Sequence, residues 1–151
     1  DFRDAGNWAG LAEAVDLIRS FGLPAGCATH QPDFHAKRRA HGVDVDFCLQ
    51  SLYSLEGRRG KIDQHNEREQ FDDGDRLPAL MSIARNPEPT FAYKVLAAGR
   101  KDVRPSLAEV VTYLKKQDGI LMGMCPDTNS GMVAENASLV SSLLCSLPES
   151  D

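Results

Sequence analysis

The 151-residue chain contains no Cys-x-x-Cys pair; its four cysteines, Cys27, Cys48, Cys125 and Cys145, stand far apart. That spacing excludes a zinc knuckle and gives no disulfide frame, and three of the four fall in apolar strand-like runs, where cysteine reads as a small buried hydrophobe. No apolar stretch reaches the ~18 residues of a membrane span, and no charged-then-apolar leader precedes a cleavage site. The expected location is therefore the cytoplasm, with no membrane partner. Asn136-Ala137-Ser138 has the form of a glycosylation sequon, but it falls mid-helix in a chain without an export signal. A basic stripe is lacking as well. With a net charge of −5 and one short cluster, Lys37-Arg38-Arg39, that reads as a solvated helix face, the sequence argues against nucleic acid as a partner. Internal repeats and low-complexity segments are absent. The first residue is Asp1 and the first element a helix, which reads as a piece of something longer.

What is present is ordinary for one globular domain: 42% hydrophobic and 26% charged residues, spread over residues 1–151. Asn7 caps a predicted helix over residues 8–21, with Trp8, Leu11, Val15 and Ile18 on one face. Residues 23–30 form a short buried strand, and Pro32 starts a brief helix to about residue 40. Residues 43–53 alternate, Val45, Phe47 and Leu49 against Asp44, Asp46, Cys48 and Gln50, which predicts a second strand. Residues 54–74 are polar and aperiodic, as in a binding loop, a lid or an excursion. Asp75 then caps a helix that buries Leu77, Leu80, Met81 and Ala84. Ser106-Leu-Ala-Glu109 reads as a capping box, and Lys115-Lys116 as the last turn of that helix. A fourth strand over 119–125 and a final helix from Met132 to about Leu147 complete the chain.

Between these elements lies the most informative run, Pro89-Thr-Phe-Ala-Tyr-Lys-Val-Leu-Ala-Ala-Gly-Arg100. It reads as a buried parallel strand with one lysine inside it, and an ammonium group there needs a reason, because an unpaired buried charge costs several kcal/mol. Strand–helix alternation with short connections implies parallel strands and right-handed crossovers. Two architectures fit: half of a (β/α)8 TIM barrel, and a small open doubly wound α/β sheet. The turn after the first strand, Thr29-His30-Gln31-Pro32, has no G-x-G, as the open nucleotide-binding sheets would.

The segments Ala28-Thr-His-Gln-Pro-Asp33, Val45-Asp-Phe47 with Leu52-Tyr53, and Phe91-Ala-Tyr-Lys-Val-Leu-Ala-Ala-Gly-Arg100 resemble the C-terminal half of a group of uncharacterised bacterial TIM-barrel proteins, loosely labelled aldo/keto-reductase-like. The resemblance covers roughly residues 7–145 and implies the half-barrel fold. Cys48-Leu49-Gln50 departs from the group's aromatic and hydroxyl residues, and no catalytic residue is carried over.

Barrel sites lie at the C-terminal ends of the strands. By strand parity, His30, Gln50 and Lys94 are expected on one side, with Phe47, Leu49, Phe91 and Tyr93 toward the helices. Lys94 is expected deep in its strand, as a Schiff-base or proton-donating lysine of lowered pKa or as the partner of Asp46 in an interior ion pair. His30 suits a general acid/base, with Tyr53 adding a phenol. Gln50 and the Gly99-Arg100 turn would bind substrate or phosphate, Arg100 also suiting the 2′-phosphate of NAD(P). A divalent metal on His30 and Asp46 is a minor alternative, and Cys125 lacks an evident base for a nucleophile.

Three functions compete at this level. One is a barrel enzyme of lyase or isomerase type acting on a small oxygenated or carbonyl metabolite. Another is an NAD(P)-dependent aldo/keto-reductase-like oxidoreductase, and the third a non-catalytic half-barrel that binds a ligand or another chain. A half-barrel leaves two sheet edges open, so pairing with a missing half or self-association is expected.

Overall fold

The computed structural model describes residues 6–54 and 71–146, so most of the polar segment 54–74 lies outside the described residues. The elements alternate as the sequence implies: α1 (Trp8–Ser20), β1 (Gly26–Thr29), α2 (Phe34–Ala40), β2 (Phe47–Ser51), α3 (Arg76–Arg85), β3 (Thr90–Tyr93), α4 (Val103–Val111), β4 (Gly119–Leu121) and α5 (Met132–Cys145). A 3-10 turn, Asp73–Asp75, leads into α3. The four strands form one parallel sheet in the order β1-β2-β3-β4. An α/β fold follows, with each connection between neighbouring strands passing through a helix.

Local chemistry explains most boundaries. The Asn7 side chain accepts from the Gly10 N–H at 2.9 Å and opens α1. β3 is much shorter than the apolar run that contains it. Lys94 takes φ +61°, Ala97 +48° and Ala98 +53°, all left-handed, and the chain from Val95 to Arg100 folds into turns closed by Ala97 N–H to Lys94 O at 3.0 Å. The run is still buried where it matters, at Val95 and Ala97, which is why its hydrophobicity imitates a strand. Ser106 is no cap: α4 starts at Val103 after Asp102, Ser106 is buried in its first turns, and Lys115 and Lys116 lie beyond its end. In α3 the buried face is Arg76, Ala79, Leu80 and Ile83, whereas Leu77 and Ala84 are exposed. An i, i+3, i+4, i+7 set is there, begun by an arginine instead of a leucine.

The core lies on one face of the sheet. Cys48 and Ala92 share that face, since Gln50 stands opposite Ala92 and Cys48 two residues before it. Cys48 packs with Leu11, Val15, Phe34 and Val45; Ala92 packs with Leu80, Ile83, Leu107 and Val110. Phe47, Leu49, Phe91 and Tyr93 point the other way, belong to neither cluster and are half-buried. The expected parity is therefore inverted: the aromatic face is not the helix face. Glycine shapes that second face at two places. The Phe47 ring lies where a Cβ of Gly26 would be, at 2.3 Å, and the Phe91 ring 2.7 Å from a Cβ of Gly119. The two phenyl rings meet edge to face, 6.1 Å between centroids.

Charges gather at the end of the sheet where the strands begin. Asp46 accepts from the Arg19 guanidinium (2.8 Å) and from the Ala25 N–H (2.7 Å). Both bonds, Arg19's the stronger, hold its carboxyl below the usual range. Arg38, expected on a solvated helix face, is fully buried. It donates to the Val43 carbonyl and, at 2.7 Å, to Glu88, which also accepts from Arg39 at 3.0 Å. Cys27 and Cys48 sit opposite each other in β1 and β2, half-buried and buried, while Cys125 and Cys145 are exposed. The expectation of buried cysteines holds in full only for Cys48. Burial pushes the Cys27 thiol up to about 11 and raises Cys48 as well, which makes both poor nucleophiles. Among the described residues no helix is long and apolar enough to cross a membrane.

Candidate functional site

At the opposite end of the sheet, where the strands finish, the described residues leave two clefts. β1 ends in Thr29 and His30, β2 in Ser51 and Tyr53, β3 in Tyr93 and Lys94, and β4 in Leu121 and Met122. A cavity of about 1050 Å³ lies against the last two, walled by Tyr93 and Lys94 on one side, Met122, Met124 and Cys125 on another, and Asn136 of α5. A smaller cleft of about 370 Å³ adjoins β1 and β2 and is lined by His30, Ser51, Tyr53 and Asp75.

Lys94 stands at the rim, not deep in a strand, because β3 ends at Tyr93. Its left-handed φ of +61° is uncommon for a residue with a long side chain and costs of order 1–3 kcal/mol, strain of the kind that collects at functional sites. Its Nζ lies 5.9 Å from the centre of the Phe71 ring. The interior ion pair with Asp46 does not form. Asp46 precedes β2, and Leu52, six residues on, bonds to Tyr93 beside Lys94, so the two side chains start roughly 20 Å apart along the strands.

His30 places Nδ1 3.1 Å from the Tyr53 carbonyl oxygen. A carbonyl only accepts, so Nδ1 carries the proton in the neutral ring and Nε2 is the basic nitrogen. The His30 ring also meets Tyr93 edge to face at 5.5 Å, which sets it one residue from Lys94 across the same rim. The Tyr93 phenol donates to the Thr29 carbonyl at 3.2 Å and ties β3 to β1. Burial raises its pKa, although a bond to Ser51 works against the shift.

The other expected site residues divide between the clefts and the core. Gln50 is completely buried on the helix face, donates to the Ser51 carbonyl at 3.0 Å and lies 3.5 Å from the Ser82 hydroxyl, so it does not join His30 and Lys94. Tyr53 reaches the smaller cleft, but its phenol accepts from buried Arg76 at 2.9 Å and stays in the core. Gly99 takes φ +81° and lines the larger cavity. Arg100 is exposed, lies over Phe71 at 4.9 Å and donates to the Ala97 carbonyl at 3.2 Å. Asp46 and His30 occupy opposite ends of the sheet, and no group of three or more His, Cys, Asp or Glu residues placed to hold a metal exists among the described residues.

Two features escaped the sequence reading. Arg76 joins three elements at the rim: it donates to the Tyr53 phenol, to the Val95 carbonyl at 3.0 Å and to Glu109 of α4. Patterns that count only apolar residues pass over an arginine on a core face. The second is His35, 1% exposed on α2, with no well-formed hydrogen bond at either ring nitrogen. Burial, reinforced by the Arg38 charge and only partly offset by the Leu49 backbone, pulls its pKa from 6.5 to about 4.

That shift has a pH consequence. Between pH 6.5 and 4 the unfolded chain binds a proton at His35 that the folded chain refuses, so stability falls as pH drops through that window. The expected loss is about 3 kcal/mol. Urea midpoints from pH 7 to pH 4 should show this slope, and His35→Leu should flatten it. An unchanged slope in the variant would assign the effect to other groups.

Comparison with family models, with curated proteins and with solved structures finds no match to this chain.

Proposed function

We propose that the chain is the four-unit part of a (β/α)8-type barrel enzyme that acts on a small oxygenated carbonyl compound, with Lys94 as the amine nucleophile and His30 as the general acid/base. The observation that carries this reading is Lys94 itself. A lysine held in a strained left-handed conformation at the end of a parallel strand, on the wall of a cavity of about 1050 Å³, is where barrel-type sheets keep their chemistry. The deprotonated Nζ adds to the substrate carbonyl, and loss of water leaves an iminium that withdraws electrons from the neighbouring carbon. His30 Nε2, across Tyr93 from Lys94, then takes or returns the proton at that carbon. Met122, Met124 and Met132 give the cavity an adaptable apolar lining, suited to a short carbon chain.

The test is reductive trapping. The protein is incubated with small aldehydes, ketones and 2-oxo acids plus borohydride, and the adduct is located by intact mass and peptide mapping. One adduct at Lys94, absent in Lys94→Ala and reduced at least tenfold in rate in His30→Gln, is the expected result. Adducts scattered over the exposed lysines with Lys94 unmodified would end the Schiff-base reading.

A further inference from the structure

Among the described residues no helix covers the aromatic face of the sheet, and exposed apolar residues stand at both ends of the array. Eight large hydrophobic residues are exposed among the described residues, and only Leu77 lies away from those ends. Leu17, Ile18, Phe21 and Leu23 belong to α1 and the segment leading into β1, with Phe21 73% exposed. Leu121, Val133 and Leu144 belong to β4 and α5, at the other end of the array. Between them run the half-buried Phe47, Leu49, Phe91 and Tyr93 of the sheet face that no described helix covers. β1 and β4 are also the two edge strands, each with a row of backbone groups that no described strand pairs.

We propose that this surface seats a second copy of the chain. A two-fold axis parallel to the strands sets β4 of each copy beside β1 of the other and α5 beside the partner's α1. Such a rotation keeps all strands parallel, and it satisfies both edges at once, so eight strands close on themselves and no edge remains. The area agrees. At roughly 150–200 Å² for a fully exposed side chain, the residues at the two ends alone present about 550–750 Å² per copy, approaching the ~800 Å² per partner of a standard stable interface. The aromatic face adds to this as the filling of the closed barrel. On that face β1 carries the small residues Gly26 and Ala28, β4 carries Gly119 and Leu121, and the bulky rings stand at the centre. Each copy's aromatic centre then faces across the interior toward the partner's. This inference rests on topology and exposure and is independent of the chemistry of Lys94.

Sedimentation equilibrium from 1 to 200 μM is the test. A particle of twice the chain mass is expected, with Phe21→Lys and Leu121→Lys each weakening association at least tenfold while far-UV circular dichroism is unchanged. Leu77→Lys should leave the dimer intact. Hydrogen exchange should show β1 and β4 amides protected in the wild type and exchanging faster in Phe21→Lys. A monomer throughout the range overturns the proposal, as does mass that keeps growing with concentration, the sign of an open chain of copies. A dimer in which neither variant matters, or in which the β1 and β4 amides exchange alike in wild type and variant, overturns the closure.

Discussion

Replacing Glu88 with alanine is expected to destabilise the protein by about 3–5 kcal/mol, the cost of removing one partner from a buried ion pair. The reason lies in Arg38. Its side chain is 0% exposed, and Glu88 is the only carboxylate that bonds to it among the described residues. Without Glu88 the guanidinium keeps the Val43 carbonyl and a 3.7 Å contact to the Cys48 sulfur, neither of which carries a compensating charge. Arg39 also loses an acceptor, but it is partly exposed and has water as an alternative. Denaturant midpoints of the wild type, Glu88→Ala and the pair Arg38→Met with Glu88→Leu decide the matter. The double variant should recover most of the loss, because it removes both buried charges together. If Glu88→Ala costs under 1 kcal/mol, the pair is not a stabilising element.

Acid should act on the same pair. Burial raises the pKa of Glu88, but the bond from Arg38 and the two arginine charges outweigh that and leave it below 4.5. A carboxyl with a depressed folded pKa contributes stability that is complete above its unfolded value and is lost as pH falls through the folded one. The Glu88 contribution is therefore complete above about pH 4.5 and is lost as pH falls below it, overlapping only the acid end of the window from pH 6.5 to about 4 in which His35 acts. The two losses are separable by titrating His35→Leu alone.

Arg76→Met is the second large effect, at about 3 kcal/mol or more. The guanidinium pairs with Glu109, and it also donates to the Tyr53 phenol and the Val95 carbonyl, both in the core. Methionine matches the aliphatic stem but leaves those two oxygens without their donor, at about 1–3 kcal/mol for each buried group left unsatisfied. Glu109 is 41% exposed and turns to water at little cost. Val95 follows Lys94 directly, so loosening its carbonyl also loosens the strained turn that presents the amine. Two measurements are needed: urea unfolding, for the stability loss, and the rate of trapping at Lys94, which should fall severalfold although Lys94 is unchanged. Arg76→Lys should recover only part of both, since an ammonium group lacks the planar fork that serves three acceptors. Unaltered stability and trapping would make Arg76 a surface ion pair that happens to be covered.

Much of the architecture was legible in the residues. Local signals sit next to one another in the chain: the Asn7 cap, the glycine and proline stops, and the alternation of short apolar runs with amphipathic ones. These determine that, among the described residues, four strands alternate with five helices, and with short crossovers they imply parallel order. Lys94 and His30 also stood out in the residues, Lys94 as the one charge inside an apolar run and His30 as a polar residue at the end of another. What they do there was not legible. Lys94 stands at the rim because Lys94, Ala97 and Ala98 adopt left-handed backbone angles, for which an Ala-Ala pair gives no warning.

The larger reversals share one cause. Alternation along β2 and β3 says that their two faces differ, but it does not say which face the helices cover, because that depends on where distant helices land. The helices cover Cys48, Gln50 and Ala92, and so Gln50 became core while the aromatics were left outside. In the same way, nothing near Arg38 or Arg76 announces burial. Their partners, Glu88 and Glu109, stand 50 and 33 residues away, and an arginine enters a core only when the folded chain brings a carboxylate to meet it. The sequence by itself determined the elements and their order, since these are settled by neighbours in the chain. Only the tertiary structure decided which faces, charges and turns became the core and which became the rim.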